Sequence, residues 1–228
     1  LASLQTKAVL IDGEWVINGQ KIWTSTAQYA HMMFCLVRTE PDANKHAGIS
    51  YLLIPMETPG IEIRPLVDMT LKAGFNEVFF TDVKIPETNI VGSRGEGWAV
   101  ANATLGHERG SLAPPDAIMS RLNMLIELMQ QETLDGKPLS DDSIYRDRLM
   151  KIQAKVMAFQ SHALRILSAK LNPGQDVKIG KMIQKYVGTE LRHELEGLAI
   201  DVMGEIGILY EDSPHLRDKG TWQFIYMY

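Results

Sequence analysis

The stretch Gly19-Gln20-Lys21-Ile22-Trp23-Thr24-Ser25-Thr26 sets an indole beside three successive hydroxyls. A flat aromatic face next to clustered hydroxyl and backbone donors is suited to border a planar ligand with a polar edge. The same residues have a plainer use, because indoles commonly fill cores and hydroxyls close turns. Strand alternation puts Thr24 on the opposite face from Trp23 and Ser25, which favours a structural role for Thr24. A second candidate is Ile90-Val91-Gly92-Ser93-Arg94-Gly95-Glu96-Gly97, with three glycines ahead of a helical stretch, an arrangement that can cradle phosphate at a helix N-terminus. Its spacing fits neither the dinucleotide fingerprint nor the P-loop, and no parallel strand-helix unit precedes it. It reads as a domain junction.

Composition narrows the classes. A chain of 228 residues, 45% hydrophobic and 22% charged, can bury a substantial core in one or two domains. A net charge of −5 argues against a nucleic-acid binder, which needs a concentrated basic surface. The single cysteine, Cys35, lies in the apolar run Met32-Met33-Phe34-Cys35-Leu36-Val37, which excludes an internal disulfide, fits a reducing compartment and assigns the thiol to packing. No apolar run is long enough to span a membrane and no secretory leader is evident, so the expectation is a cytoplasmic protein, or a mitochondrial-matrix one in a eukaryote. No metal-ligand set is assigned.

These residues must be positioned by a β-rich first part and a helical second part, an α+β chain. Asn18-Gly19 predicts a hairpin between Glu14-Trp15-Val16-Ile17 and Lys21-Ile22-Trp23. Strands are predicted at Met32 to Arg38, Ile49 to Ile54, Ile61 to Leu66 and Glu77 to Val83, with Gly, Pro, Asn and Asp clusters between them. That spacing suits an antiparallel β-barrel or sandwich. From Trp98 the pattern is helical and is broken at Pro114-Pro115. A second long helix follows Ser140-Asp141-Asp142, with Ile144, Leu149, Ile152, Val156, Phe159, Ala163, Ile166 and Leu167 on its apolar stripe. A third runs from about Val177 to Val202, burying Ile179, Met182, Ile183, Tyr186, Leu191, Leu195, Leu198 and Val202. The three should pack as an antiparallel bundle.

Taken together, Asn18-Gly19-Gln20-Lys21-Ile22-Trp23-Thr24-Ser25, Pro59-Gly60-Ile61, Phe80-Thr81-Asp82-Val83-Lys84-Ile85-Pro86, Asn89-Ile90-Val91-Gly92 and Glu108-Arg109-Gly110 resemble the acyl-CoA dehydrogenase family. Their order and spacing carry the match. The resemblance implies a middle β-domain over residues 1–92 and a C-terminal helical bundle over 93–228. It also implies a fragment, since family members carry a helical domain before the β-domain and more chain after the bundle; such a fragment is expected to be inactive alone.

The resemblance further implies FAD as cofactor, an acyl-CoA substrate, electron-transferring flavoprotein as electron acceptor, and a homo- or hetero-oligomer. In the family a carboxylate removes the α-proton of the thioester while the β-hydrogen leaves as hydride to the flavin. An α-proton beside a thioester is weakly acidic, so the base must be close and desolvated, and the developing enolate must meet fixed donors. Glu108 is the candidate base, with Arg109 orienting the site; in other branches the base lies nearer the C-terminus. Without the resemblance, Glu108 reads as an ordinary helical carboxylate. Trp23 would stand against the isoalloxazine, Ser25 at its N5/O4 edge, and Thr24 is a less secure contact.

Two features depart from the family pattern. An Arg followed closely by Phe-Gly after the first long helix is replaced by Glu132-Thr133-Leu134-Asp135-Gly136-Lys137-Pro138, and a glycine-rich turn reads Met203-Gly204-Glu205-Ile206-Gly207, with a carboxylate at a usually small position. Negative charge near a pyrophosphate is unfavourable, so Glu205 either points away or marks a subunit that serves its partner's flavin poorly. Rival readings are an oxygen-using flavin oxidase or monooxygenase on the same scaffold, and a catalytically silent subunit of a hetero-oligomer.

Overall fold

A computed structural model describes residues 1–108, 114–172 and 178–228, apart from the side chains of residues 107, 108, 170 and 178. The chain divides into two compact units, Leu1–Gly106 and His107–Tyr228. In the first, six strands form one sheet: β1 (Lys7–Ile11), β2 (Glu14–Ser25), β3 (Met32–Arg38), β4 (Ile49–Pro55), β5 (Ile61–Leu66) and β6 (Phe75–Pro86). Their order is β4-β3-β1-β2-β6-β5. The α+β class expected from sequence is observed. The sheet is mixed, because β1 meets β3 in parallel at Lys7 and Arg38, and its edges β4 and β5 do not pair with each other to close a barrel.

The hairpin expected at Asn18-Gly19 is corrected. The chain turns at Asp12-Gly13, between β1 and the 12-residue β2, and Asn18-Gly19 lies inside β2 at a shift in its register with β6. Asn18 accepts from the Asp82 amide through Oδ1 and donates to Asp82 Oδ1 through Nδ2, both at 2.9 Å, so its side chain replaces ladder bonds lost at the bulge. Gly19 has φ 134°, and a Cβ there would lie 2.8 Å from Thr6 Cα. Only glycine fits that conformation and approach. Alternating inward residues of β2, β3, β4 and β6, including Trp15, Ile17, Val37, Leu52, Ile54, Val78, Val83 and Ile85, make the core of this unit.

Helix α1 (Gly97–Glu108) begins against this sheet, and α2 (Pro115–Gln131), α3 (Ser143–Leu171), α4 (Lys178–Met203) and α5 (Thr221–Met227) belong to the second unit. A two-residue ladder, β7 (Thr133–Leu134) and β8 (Lys137–Pro138), closes the turn after α2. Pro115 starts α2, where its missing N–H is harmless. Asp142 caps α3, accepting from the amides of Ile144 and Tyr145 at 2.9 and 3.1 Å. The bundle core is built on Leu122, Leu125, Met129, Ile152, Val156, Leu195, Leu198 and Trp222.

Two predicted apolar stripes are only partly buried. Ile144 and Leu167 on α3, and Ile179, Met182, Ile183 and Tyr186 on α4, are exposed. For Leu167 and the α4 residues the cause is length: α2 has 17 residues against 29 and 26 for α3 and α4, so at 1.5 Å per residue it is too short to cover either partner's full face.

Candidate functional site

The end of β2 departs from regular strand geometry at the residues singled out for chemistry. Pairing with β6 slips between Lys21↔Val78 and Thr24↔Asn76, and Trp23 adopts φ 61° in the left-handed region. The slip breaks the alternation, and Trp23, Thr24 and Ser25 all line one cleft of about 410 Å3. The indole is 64% exposed and meets Phe75 edge-on, with ring centroids 5.9 Å apart and planes at 81°. It is therefore not a core residue of this unit.

The segment is clamped from below. Asn76, fully buried, donates through Nδ2 to the Thr24 carbonyl at 3.0 Å and to Gln28 Oε1 at 2.6 Å, while Gln28 Nε2 donates to the Ala73 carbonyl at 2.7 Å. The Thr26 amide donates to the Gly74 carbonyl at 2.9 Å. Asn76 and Gln28 went unnoticed in the sequence. The available signal was an amide side chain in a strand run, where Asn is depleted.

Lys21 and Cys35 also line the cleft. Burial lowers the Lys21 pKa, partly opposed by its electrostatic interaction with Cys35, and Nζ donates to the Leu36 carbonyl at 2.7 Å. Burial pushes the Cys35 thiol up to about 11, so it stays protonated at neutral pH and packs as a small apolar group. A bare aromatic face, an apolar floor including Met33, and the hydroxyl and amide donors of Thr24 and Ser25 suit a planar ring system with hydrogen-bonding edges.

Residues 1–83 match the family model of the acyl-CoA dehydrogenase middle domain, and residues 95–220 that of the acyl-CoA dehydrogenase C-terminal domain. The chain belongs to the acyl-CoA dehydrogenase family. It is 38% identical to acyl-CoA dehydrogenase IpdE1 of Mycobacterium tuberculosis, covering 100% of this chain and 57% of that protein. It thus spans somewhat over half of that relative. Among solved structures it is similar to the ChsE4-ChsE5 complex from Mycobacterium tuberculosis, at 30% identity and a TM-score of 0.86, covering 99% of this chain and 58% of that one. It is also similar to the Tcur3481-Tcur3483 steroid ACAD, at 25% identity and a TM-score of 0.89, covering 99% and 57%.

For the remaining residues suggested by the acyl-CoA dehydrogenase resemblance, the structure is selective. Glu108 ends α1, and Arg109 and Gly110 lie outside the described residues. The glycine-rich junction is explained by close packing. The Gly95 amide donates to Ser50 Oγ at 2.9 Å, and a Cβ on Gly97 would lie 2.4 Å from the Ser50 carbonyl carbon. Glu205 is exposed in a short 3-10 turn, Gly204–Ile208. Among the described residues, no group of three His, Cys, Asp or Glu side chains is placed to hold a metal ion, and no helix is long and apolar enough to cross a membrane.

Proposed function

We propose that this chain is the middle and C-terminal part of an FAD-dependent acyl-CoA dehydrogenase that desaturates an acyl-CoA thioester between Cα and Cβ, with a domain boundary at residues 92/93. The observation that carries the reading is the exposed Trp23 sharing a cleft with Thr24 and Ser25 in a member of this family. Trp23 flanks the flavin ring, and Ser25, with Thr24 beside it, supplies donors to its polar edge. When bound, FAD supplies the acceptor for the β-hydride. The Glu108 carboxylate takes the α-proton, and Arg109 orients the site around it.

An electron-transferring flavoprotein is the electron acceptor, and the site of action is the cytoplasm or, in a eukaryote, the mitochondrial matrix. The apolar faces of α3 and α4 left uncovered within the chain support a homo- or hetero-oligomer. The ChsE4-ChsE5 complex points the same way. The steroid ACAD among the similar structures makes a steroid acyl-CoA the first substrate to try.

The test is anaerobic flavin reduction of the full-length protein with a panel of acyl-CoA thioesters, repeated with Glu108→Gln. Bleaching with one thioester and a fall of at least about a hundredfold in the variant are expected for loss of a general base. Unchanged reduction by the variant removes Glu108 from the role. Absence of bound flavin in the purified protein overturns the whole reading, and rapid reoxidation in air during turnover assigns the chemistry to an oxidase instead.

A further inference from the structure

A second cavity lies wholly inside the helical unit, between α2, α4 and α5. Its volume is about 430 Å3, within the roughly 300–1,000 Å3 of small-molecule pockets. Ile118, Leu195 and Ile225 give it apolar walls. Small side chains line it, Gly188 and Thr189 on α4 and Ala117 and Ser120 on α2.

Its polar side is built around a charge that the fold goes to some length to hold. The Glu196 carboxylate has no exposed surface and takes two parallel bonds from Arg121, Nε to Oε1 at 2.8 Å and Nη2 to Oε2 at 2.5 Å. The Arg121 guanidinium carbon stands 3.6 Å from the centroid of the Trp222 ring. Burial raises the Glu196 pKa, while Arg121 and Arg192 act to lower it. Arg192, one helical turn before Glu196, lines the same cavity, and no hydrogen bond from it to another described residue is found. Among the described residues that line the cavity, two arginines face the single carboxylate of Glu196, a net charge of one positive.

We propose that this cavity is a ligand site for a small monocarboxylate with an apolar body, its carboxylate held by Arg192 and Ser120 and its body against Ile118, Leu195 and Ile225. Guanidinium matches carboxylate with two parallel bonds. A single excess charge suits a monoanion, whereas a dianionic phosphate would bring a second negative charge towards buried Glu196, and an ammonium would meet Arg192 with like charge. Nothing in the proposal depends on flavin chemistry.

The experiment is calorimetric titration of the full-length protein with octanoate, octanol and octylamine, for the parent, Arg192→Gln and Ala117→Trp. Melting temperatures confirm that both variants fold. Octanoate is expected to bind at least about tenfold more tightly than octanol or octylamine. Arg192→Gln should remove that preference, and Ala117→Trp, which fills the cavity without touching its charge, should abolish binding. Octanoate binding that survives either variant unchanged, equal affinity for octanol, or no binding by the parent overturns the proposal. Flavin reduction by acyl-CoA is read separately, so the two proposals stand or fall apart.

Discussion

Replacing Trp23 by glycine separates a ligand wall from a core residue. The indole is 64% exposed, so about 90 Å2 of a side chain of ~250 Å2 is covered, worth about 2 kcal/mol at ~25 cal/mol per Å2 as an upper estimate. The edge contact with Phe75 adds about 0.5–1 kcal/mol. Against these losses, glycine relieves the left-handed backbone at φ 61°, a gain of about 1–2 kcal/mol, and adds unfolded-state freedom costing about 0.5–1 kcal/mol. The net expectation is a loss of about 1–3 kcal/mol. Trp15, 1% exposed and donating through Nε1 to the Glu87 carbonyl at 3.2 Å, should lose about 3–5 kcal/mol when replaced by alanine. Urea denaturation of both variants without cofactor, followed by circular dichroism, measures the contrast. FAD titration of Trp23→Gly should show affinity down at least about tenfold. A loss for Trp23→Gly equal to that for Trp15→Ala, with FAD affinity intact, would refute the argument and return the indole to the core.

Gly97→Ala should destabilise the first unit by about 1–3 kcal/mol, because both nearest obstacles, the Ser50 carbonyl carbon at 2.4 Å and the Tyr51 nitrogen at 2.6 Å, are backbone; thermal melting checks this. For Glu196 the folded pKa is raised above its ordinary 4.5, so its contribution relative to a non-titrating glutamine is fully present below that value and is lost as pH rises through the folded value. Melting of parent and Glu196→Gln from pH 4 to 7 should show the parent's relative advantage shrinking with rising pH, and a widening gap would reverse the assignment. Cys35, 1% exposed with its thiol near 11, should alkylate at neutral pH at least about 300-fold more slowly than a free thiol near 8.5, a difference that urea abolishes. Fast labelling of the folded protein would contradict its burial.

Periodicity and punctuation served best where a residue's fate depends on its own neighbours in the chain. The bounds of β3 and β5 follow from apolar runs ended by Gly, Pro and Asp clusters, and Asp142 and Pro115 mark helix starts by chemistry local to them. Asn18-Gly19 was misleading because one dipeptide serves both a tight turn and a bulge. Thr6 and Asp82, distant in sequence, select the bulge. The apolar period of α4 was legible, but which half is covered depends on the length of α2. The pairing of Arg121 with Glu196 spans 75 positions and leaves no local trace.

Regular strand geometry is interrupted at Trp23, the residue that the resemblance singled out. A strand built for stability alone would put glycine at position 23, where φ is 61°, and an apolar residue at 76, where the buried Asn76 Oδ1 has no hydrogen-bond partner among the described residues. Left-handed backbone costs about 1–2 kcal/mol and an unsatisfied buried oxygen about 1–3 kcal/mol. Both penalties fall within the few residues that present the indole and hold Thr24, and β2 pairs with β6 on both sides of them. Local rules broken together at one strand end, with a rigid sheet around them, are the expected trace of a binding surface. On the proposed reading the strain belongs to presenting Trp23 to a ligand, and relieving it with Trp23→Gly should lower ligand affinity as well as stability.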